Sequence, residues 1–193
     1  MLIKITLTVT LLGAALMSGC TRTETVVIES SEDNSAGRVL RSKLDGPNFK
    51  LRFVKREGGD LVGTAEKSGG KLTLGAPGKE TRTIEVAEFK TKLDEGDLQS
   101  CSSNLKNLAT AAEMWSTDNN GRYPANASQL TPNYLKTIPT CNAAGKDTYS
   151  ESYTSKAQPD MFTFVCSGKH HAGAGVAEDF PRYNAVEGLI TGK

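Results

Sequence analysis

The sequence has few residues of the types on which catalysis and nucleic-acid binding most often depend. Its 193 residues include only two histidines and one tryptophan, and aromatic residues make up 6%. The formal net charge is +1, and lysine and arginine are spread along the chain without forming a stripe. We therefore expect no nucleic-acid partner. Beyond residue 20, no apolar run approaches the roughly 20 residues that a membrane-spanning helix needs.

The first twenty residues are typical of a secretory signal. Lys4 is the only charge before Cys20, and the apolar stretch at residues 5–16 is too short to span a bilayer. Ser18 and Gly19 then supply the small residues of a cleavage site. Residues 1–19 are therefore predicted to be a signal peptide that directs the rest of the chain out of the cytoplasm.

Residues 16–20, Leu-Met-Ser-Gly-Cys, resemble the bacterial lipobox, although Met17 stands where the motif usually has Leu. The resemblance implies lipidation of Cys20 with three acyl chains, such as palmitate, and these anchor firmly because a single chain binds a membrane only marginally. An ordinary secreted protein with a chance cysteine is the alternative. Thr21 stands where Asp would signal retention in the inner membrane, so we expect a cell-envelope lipoprotein, in the outer membrane where the cell has one.

Composition divides the rest of the chain into three segments. Residues 20–36 are polar and acidic and predict a flexible tether, although Val26-Val27-Ile28 could pair as a strand. Residues 37–95 contain short alternating runs such as Phe49–Phe53, separated by glycine-rich turns, and predict an antiparallel β region. Residues 96–193 form the third segment, a head domain, and the fold class expected for the whole is α+β.

A helix is predicted over about residues 98–119. Apolar residues recur at intervals of three and four, which places them on one face: Leu98, Cys101, Leu105, Leu108, Ala112 and Trp115. Asp97 is the expected N-cap, and the helix is expected to end at residues 118–121 (DNNG), where Gly or Asn can take the left-handed conformation. Because such a stripe normally packs against a neighbouring sheet, we expect it to be core.

The third segment resembles the globular head of type IV pilin-like proteins, particularly the major pseudopilins of type II secretion. The resemblance lies in residues 101–111 (CSSNLKNLATA), 115–124 (WSTDNNGRYP) and 129–139 (QLTPNYLKTIP). It implies a helix followed by a Gly-x-Tyr-Pro turn and a small antiparallel sheet. The long apolar stalk helix of pilins has no counterpart here, so the resemblance extends to the head fold and not to filament formation.

Three cysteines remain if Cys20 carries lipid, and a disulfide between Cys141 and Cys166 is predicted. The pairing also fits the carboxy-terminal loop that pilin-like heads commonly close with a disulfide. Such a bond would contribute about 3–4 kcal/mol in an oxidising compartment. Cys101 lies on the helix stripe and is expected to be a small core residue. Its pairing with either of the other two cysteines is the alternative.

No metal site, cofactor or catalytic group is predicted. His170-His171 has no third ligand at a recognisable spacing and is expected to be a solvated loop pair, with Asp160 and Glu178 as remote candidates. Residues 118–121 (DNNG) lack the alternating ligands of a calcium loop. Ser167 next to His170 lacks the context of a hydrolase nucleophile.

These observations predict a non-enzymatic, lipid-anchored envelope protein whose head is a binding or assembly module. Its expected partners are the membrane, through the lipid, and another envelope protein, with a link to a type II secretion or type IV pilus-like system. The alternative function is an extracytoplasmic binder of a small ligand or cation, through the glycine-rich loop Ser167–Val176.

Substitution of Cys20 tests the anchor. Cys20→Ala removes the thiol that would carry the lipid, so we expect the protein to move from the membrane pellet to the soluble fraction. The measurement is immunoblotting of fractionated cells, with the unaltered chain as control. Retention of the variant in the membrane pellet would show that lipid on Cys20 is not the anchor.

Overall fold

A computed structural model describes residues 23–28, 35–157 and 160–193. Cys20, the predicted signal peptide at residues 1–19 and part of the predicted tether at 20–36 lie outside the described residues. The described residues form a mixed α+β structure with two α-helices and two β-sheets, one of five strands and one of four. This confirms the α+β class. The chain divides into two compact units, Met1–Lys90 and Thr91–Lys193.

Unit 1 contains one helix and a five-stranded sheet. Its elements in chain order are β1 (Thr23–Ile28), α1 (Ser35–Lys43), β2 (Phe49–Lys55), β3 (Leu61–Ser68), β4 (Lys71–Gly75) and β5 (Arg82–Glu85). The strands follow this order across the sheet, with β1 parallel to β2 and every other pair antiparallel. Because parallel neighbours need a crossover connection, the segment that contains α1 lies between β1 and β2.

Alternation places one face of this sheet in the core of unit 1. Phe49, Leu51 and Phe53 of β2 are buried while the residues between them are exposed, as the sequence predicted. Leu72 of β4 and Ile84 of β5 are also buried. The β3–β4 hairpin closes through a two-residue turn in which Gly69 has φ +58°, a conformation that favours glycine.

Three predictions for this segment were wrong in part. Residues 23–28 form a paired strand, so the strand alternative holds there and the tether does not. The β region is not wholly antiparallel, and α1 lies where strands were expected. Lys67 of β3 is buried despite its charge, with only 9% of its surface exposed.

The Lys67 ammonium joins β3 to the end of α1. Its Nζ donates to the carbonyl oxygens of Leu44 at 2.6 Å and Gly46 at 2.5 Å. These carbonyls follow the last turn of the helix, where backbone acceptors have no partners within the helix. A cation there is also favoured by the helix dipole. The ammonium group and the two carbonyl oxygens therefore satisfy one another, and each would be costly to bury without a partner.

Unit 2 contains most of the second helix and a four-stranded antiparallel sheet. Helix α2 (Val86–Asp118) begins in unit 1, and strands β6 (Thr154–Ala157), β7 (Asp160–Val165), β8 (Arg182–Asn184) and β9 (Gly188–Ile190) follow it. Short 3-10 turns lie at Ala127–Leu130 and Ala172–Ala174. None of the helices among the described residues combines the length and apolar composition that would let it cross a bilayer.

The apolar stripe of α2 is core, as the sequence predicted. Leu105 and Leu108 belong to one buried cluster with Phe162 and Phe164 of β7, and Trp115 packs against that cluster. The helix ends as expected, with Asn120 at φ 58° and Gly121 at φ 78°. Its predicted beginning was wrong, because it starts at Val86 and contains Asp97 as a buried residue.

Replacement of Lys67 tests the link between β3 and α1. Lys67→Met keeps the aliphatic length but removes both hydrogen bonds, so we expect the free energy of unfolding to fall by about 2–3 kcal/mol. Lys50→Met is the matched control, since Lys50 pairs with Glu66 across exposed positions of the same sheet and should cost less than about 1 kcal/mol. Denaturant titration followed by circular dichroism measures both, and equal losses would contradict the role assigned to Lys67.

Candidate metal centre

Cys101 presents the first sulfur of a buried cluster in unit 2. It lies on α2 within the apolar stripe, one turn before Leu105, and is fully buried. Because the helix is packed along this stripe, the Cα of Cys101 is held by a rigid element. Its position explains why the sequence suggested a small core residue.

Cys141 lies in a tight loop that begins after Pro139. Its N–H donates to the carbonyl of Lys146 at 2.9 Å, and the N–H of Gly145 donates back to its carbonyl at 2.8 Å. Gly145 has φ +68°, which favours glycine at this point of the loop. The side-chain amide of Asn104 on α2 donates to the carbonyl of Thr140 at 3.0 Å. The loop is therefore fixed to the same helix that carries Cys101.

Cys166 and His171 come from the end of β7 and the loop after it. Strand alternation buries Phe162, Phe164 and then Cys166 on one face, and the N–H of Cys166 donates to the carbonyl of Pro181 at 2.9 Å. Five residues later, His171 precedes the short Ala172–Ala174 turn and is only 2% exposed. The glycine-rich loop thus turns its histidine back into the core.

The four side chains converge on one point. The three Sγ atoms and a ring nitrogen of His171 all lie within 4.8 Å of one another. The His171 Nε2 is 3.6 Å from Cys141 Sγ and 3.5 Å from Cys166 Sγ. A tetrahedral ion with Zn–S near 2.3 Å and Zn–N near 2.05 Å would separate sulfur and nitrogen by about 3.6 Å. The two sulfur–nitrogen separations, to Cys141 and to Cys166, match that value.

Contacts within the cluster shift the pKa values of Cys141 and Cys101 in opposite directions. Hydrogen bonds with Cys101 and Cys166 hold the pKa of Cys141 well below its usual range. Hydrogen bonds with Cys141 and Cys166, together with burial, raise the pKa of Cys101. Burial opposes charge on His171, but hydrogen bonds to Cys141 and Cys166 raise its pKa to about 9. A divalent cation that binds to these ligands must displace their protons.

Cys141 and Cys166, the predicted disulfide partners, are both in this cluster, but the structure has them and Cys101 as free thiols. The disulfide thus stays a prediction from the sequence. The prediction of a solvated histidine pair was wrong for His171, which is buried, while His170 is half-buried and outside the cluster.

The other proposed ligands have different partners. Glu178 forms an ion pair with Lys169 at 3.2 Å, and Asp160 lies 3.8 Å from Arg122. In the DNNG turn, Asp118 accepts a hydrogen bond from Tyr134 at 2.9 Å. Ser167 is exposed.

One signal in the sequence could have indicated the site. Cys166 and His171 are separated by four residues, a spacing that falls within the range of paired zinc ligands. The sequence favoured a disulfide and a core position for the cysteines, which left only the carboxylates Asp160 and Glu178 as candidates beside the His170-His171 pair. The distant pair Cys101 and Cys141 carried no local signal.

The thiol state can be measured directly. We expect alkylation under denaturing, chelating and non-reducing conditions to modify Cys101, Cys141 and Cys166, since all three are free in the structure. Peptide mapping of the labelled chain is the measurement, and a sample reduced before alkylation is the control. A linked Cys141–Cys166 peptide would instead establish the disulfide that the sequence predicted.

Comparison with known proteins adds no relative to this arrangement: no protein-family model matches the chain, and neither a curated protein nor a solved structure is significantly similar to it.

Proposed function

We propose that residues 91–193 form a zinc-binding domain that a lipid on Cys20 displays outside the cytoplasm. The observation that carries the zinc assignment is the convergence of three buried sulfurs and one imidazole nitrogen within 4.8 Å. Thiolate and imidazole ligands favour zinc over hard cations such as calcium and magnesium, which prefer oxygen. The proposal replaces the expectation of a domain without a metal.

The donor set supports a structural role for the ion. Four protein ligands complete a tetrahedral shell, whereas catalytic zinc sites keep one position for water or substrate. All four residues are buried, with Cys101, Cys141 and Cys166 at 0% exposure. A closed and buried centre of this kind offers no free position on the ion for a substrate.

The ion would join segments that are far apart in the sequence. Cys101 belongs to α2, Cys141 to the loop after Pro139, and Cys166 and His171 to the end of β7 and its following loop. Binding an ion only in the folded state stabilises that state by linkage, by about 4 kcal/mol when free zinc exceeds its dissociation constant a thousandfold. The domain would thus gain stability in addition to that of its apolar core.

The zinc proposal extends one of the two functions expected from the sequence. A cation binder using the loop Ser167–Val176 was the alternative, and His171 lies within that loop. The other three ligands come from outside it. Export and lipid anchoring at Cys20, which would place this domain in the cell envelope, are supported by the sequence of residues 1–20.

A binding or assembly role for the head is the second proposal. One observation favours it: helix α2 shares a buried core with a four-stranded antiparallel sheet, the arrangement expected of a pilin-like head. We propose an envelope protein as the partner, with a secretion or pilus-like system as the setting. A structural ion is compatible with this role, because it would hold the head rigid for docking.

The zinc content of the protein and substitutions of two neighbouring histidines test the zinc proposal. The full-length chain, purified in detergent with a phosphine reductant, should retain about one zinc ion after dialysis. His171→Ala should weaken zinc binding by more than about 100-fold, since loss of an outer-shell partner alone costs about 10–100-fold. His170→Ala is the matched control and should bind as the unaltered chain does.

Elemental analysis measures the zinc content of the purified protein, and competition with a chromophoric chelator measures its affinity for zinc. Absorption of the cobalt-substituted protein identifies thiolate coordination independently of affinity. If the reduced, unaltered chain binds neither zinc nor cobalt, or if both histidine variants bind equally well, the zinc proposal is wrong.

A further inference from the structure

The charge of the proposed centre requires compensation, and this inference rests on the zinc proposal. Three thiolates and a neutral imidazole around a divalent ion leave a net charge of −1. Burial of a charge is costly unless hydrogen bonds stabilise it. A stable centre of this kind therefore needs donors directed at its sulfurs from outside the coordination shell.

Each sulfur has such a donor. The Tyr149 hydroxyl donates to Cys101 Sγ at 3.1 Å, and the Thr148 hydroxyl lies 3.3 Å from Cys166 Sγ. Cys141 has a hydrogen bond with the backbone of Ala144. Hydroxyl and amide groups that converge on sulfurs in this way suit anionic thiolates, which accept hydrogen bonds strongly.

Tyr149 is the most firmly placed of these donors. Its side chain is fully buried, and the Asn104 amide donates to its hydroxyl oxygen at 3.3 Å. With that oxygen accepting from Asn104, the hydroxyl hydrogen is directed at Cys101.

Helix α2 carries both Asn104 and Cys101, the first and last residues in this series of hydrogen bonds. Asn104 follows Cys101 by three residues on α2, so the two side chains lie on neighbouring positions of one helix face. The other amide hydrogen of Asn104 donates to Thr140, the residue before Cys141. Asn104 therefore orients Tyr149 and fixes the loop that carries a second ligand.

We propose that Tyr149 is a positioning residue of the metal centre, which stabilises Cys101 as a thiolate ligand through its hydroxyl and is itself oriented by Asn104. The residue does not contact the ion. The Tyr149 hydroxyl acts on the electron density and position of the Cys101 sulfur, and through that sulfur on the affinity of the site for zinc.

Tyr153 offers a matched comparison within the same core cluster. It is buried at 8% exposure, and its hydroxyl donates to the carbonyl of Pro124 at 2.9 Å. Tyr153→Phe and Tyr149→Phe each remove one buried hydroxyl. The first variant loses the bond to Pro124, and the second loses the bond to Cys101 and the one accepted from Asn104. Only Tyr149→Phe removes a bond to a sulfur, so a difference between the variants in metal binding reports that bond and not general stability.

The experiment compares zinc affinity in the reduced, full-length chain by competition with a chromophoric chelator. Tyr149→Phe should weaken binding by about 10–100-fold, whereas Tyr153→Phe should change it by less than about 3-fold. Asn104→Ala should weaken binding in the same direction but by less than Tyr149→Phe does. Because loss of a hydrogen bond raises the energy of sulfur electrons, the thiolate-to-cobalt charge-transfer band of Tyr149→Phe should move to longer wavelength.

The outcomes separate this inference from the zinc proposal. If the unaltered chain binds cobalt through thiolates but Tyr149→Phe matches Tyr153→Phe in affinity and spectrum, the role of Tyr149 is overturned and zinc binding stands. If the unaltered chain binds no metal, the zinc proposal itself fails. Should Tyr149→Phe not fold, Asn104→Ala decides: weaker binding with a shifted band supports the inference, and unchanged binding overturns it.

Discussion

The carboxy-terminal unit depends on the convergence of Cys101, Cys141, Cys166 and His171 at one buried point. These residues come from a helix, a tight loop, a strand end and a glycine-rich loop, so the cluster lies where the elements of the unit meet. Three thiols and an imidazole buried together form an electrostatically coupled group. An ion at their centre would turn four neighbouring polar groups into a single cross-link among distant parts of the chain.

Both units bury polar groups by pairing them. In unit 1 the Lys67 ammonium donates hydrogen bonds to carbonyl oxygens after the end of α1. In unit 2 the sulfurs accept hydrogen bonds, of which the bond from Tyr149 to Cys101 is the clearest. In both cases a buried polar group has found a partner on an element distant in sequence, because an unpaired one would cost more than its packing contributes.

Local periodicity predicted much of the fold. The strand around Leu51, the buried stripe through Leu105 and Leu108, and the end of α2 at Asn120-Gly121 follow from alternation, helical spacing and left-handed backbone preference. The beginning of α2 did not follow, since the helix continues through Gly96 and Asp97, which usually interrupt helices. The parallel pairing of β1 with β2 joins residues separated by a helix, and no local pattern encodes that partner.

The sequence by itself determined which residues are apolar at which spacing, and so the type and buried face of most elements. Its first twenty residues also carry the prediction of a lipid anchor, which needs only the local order of charge, apolar run and cysteine. The tertiary structure alone decided the candidate site. Whether a buried cysteine is a core residue, half of a disulfide or a metal ligand depends on what lies within a few ångströms of its sulfur. For Cys101, those neighbours are Cys141, Cys166, His171 and Tyr149, which only the packed chain brings together.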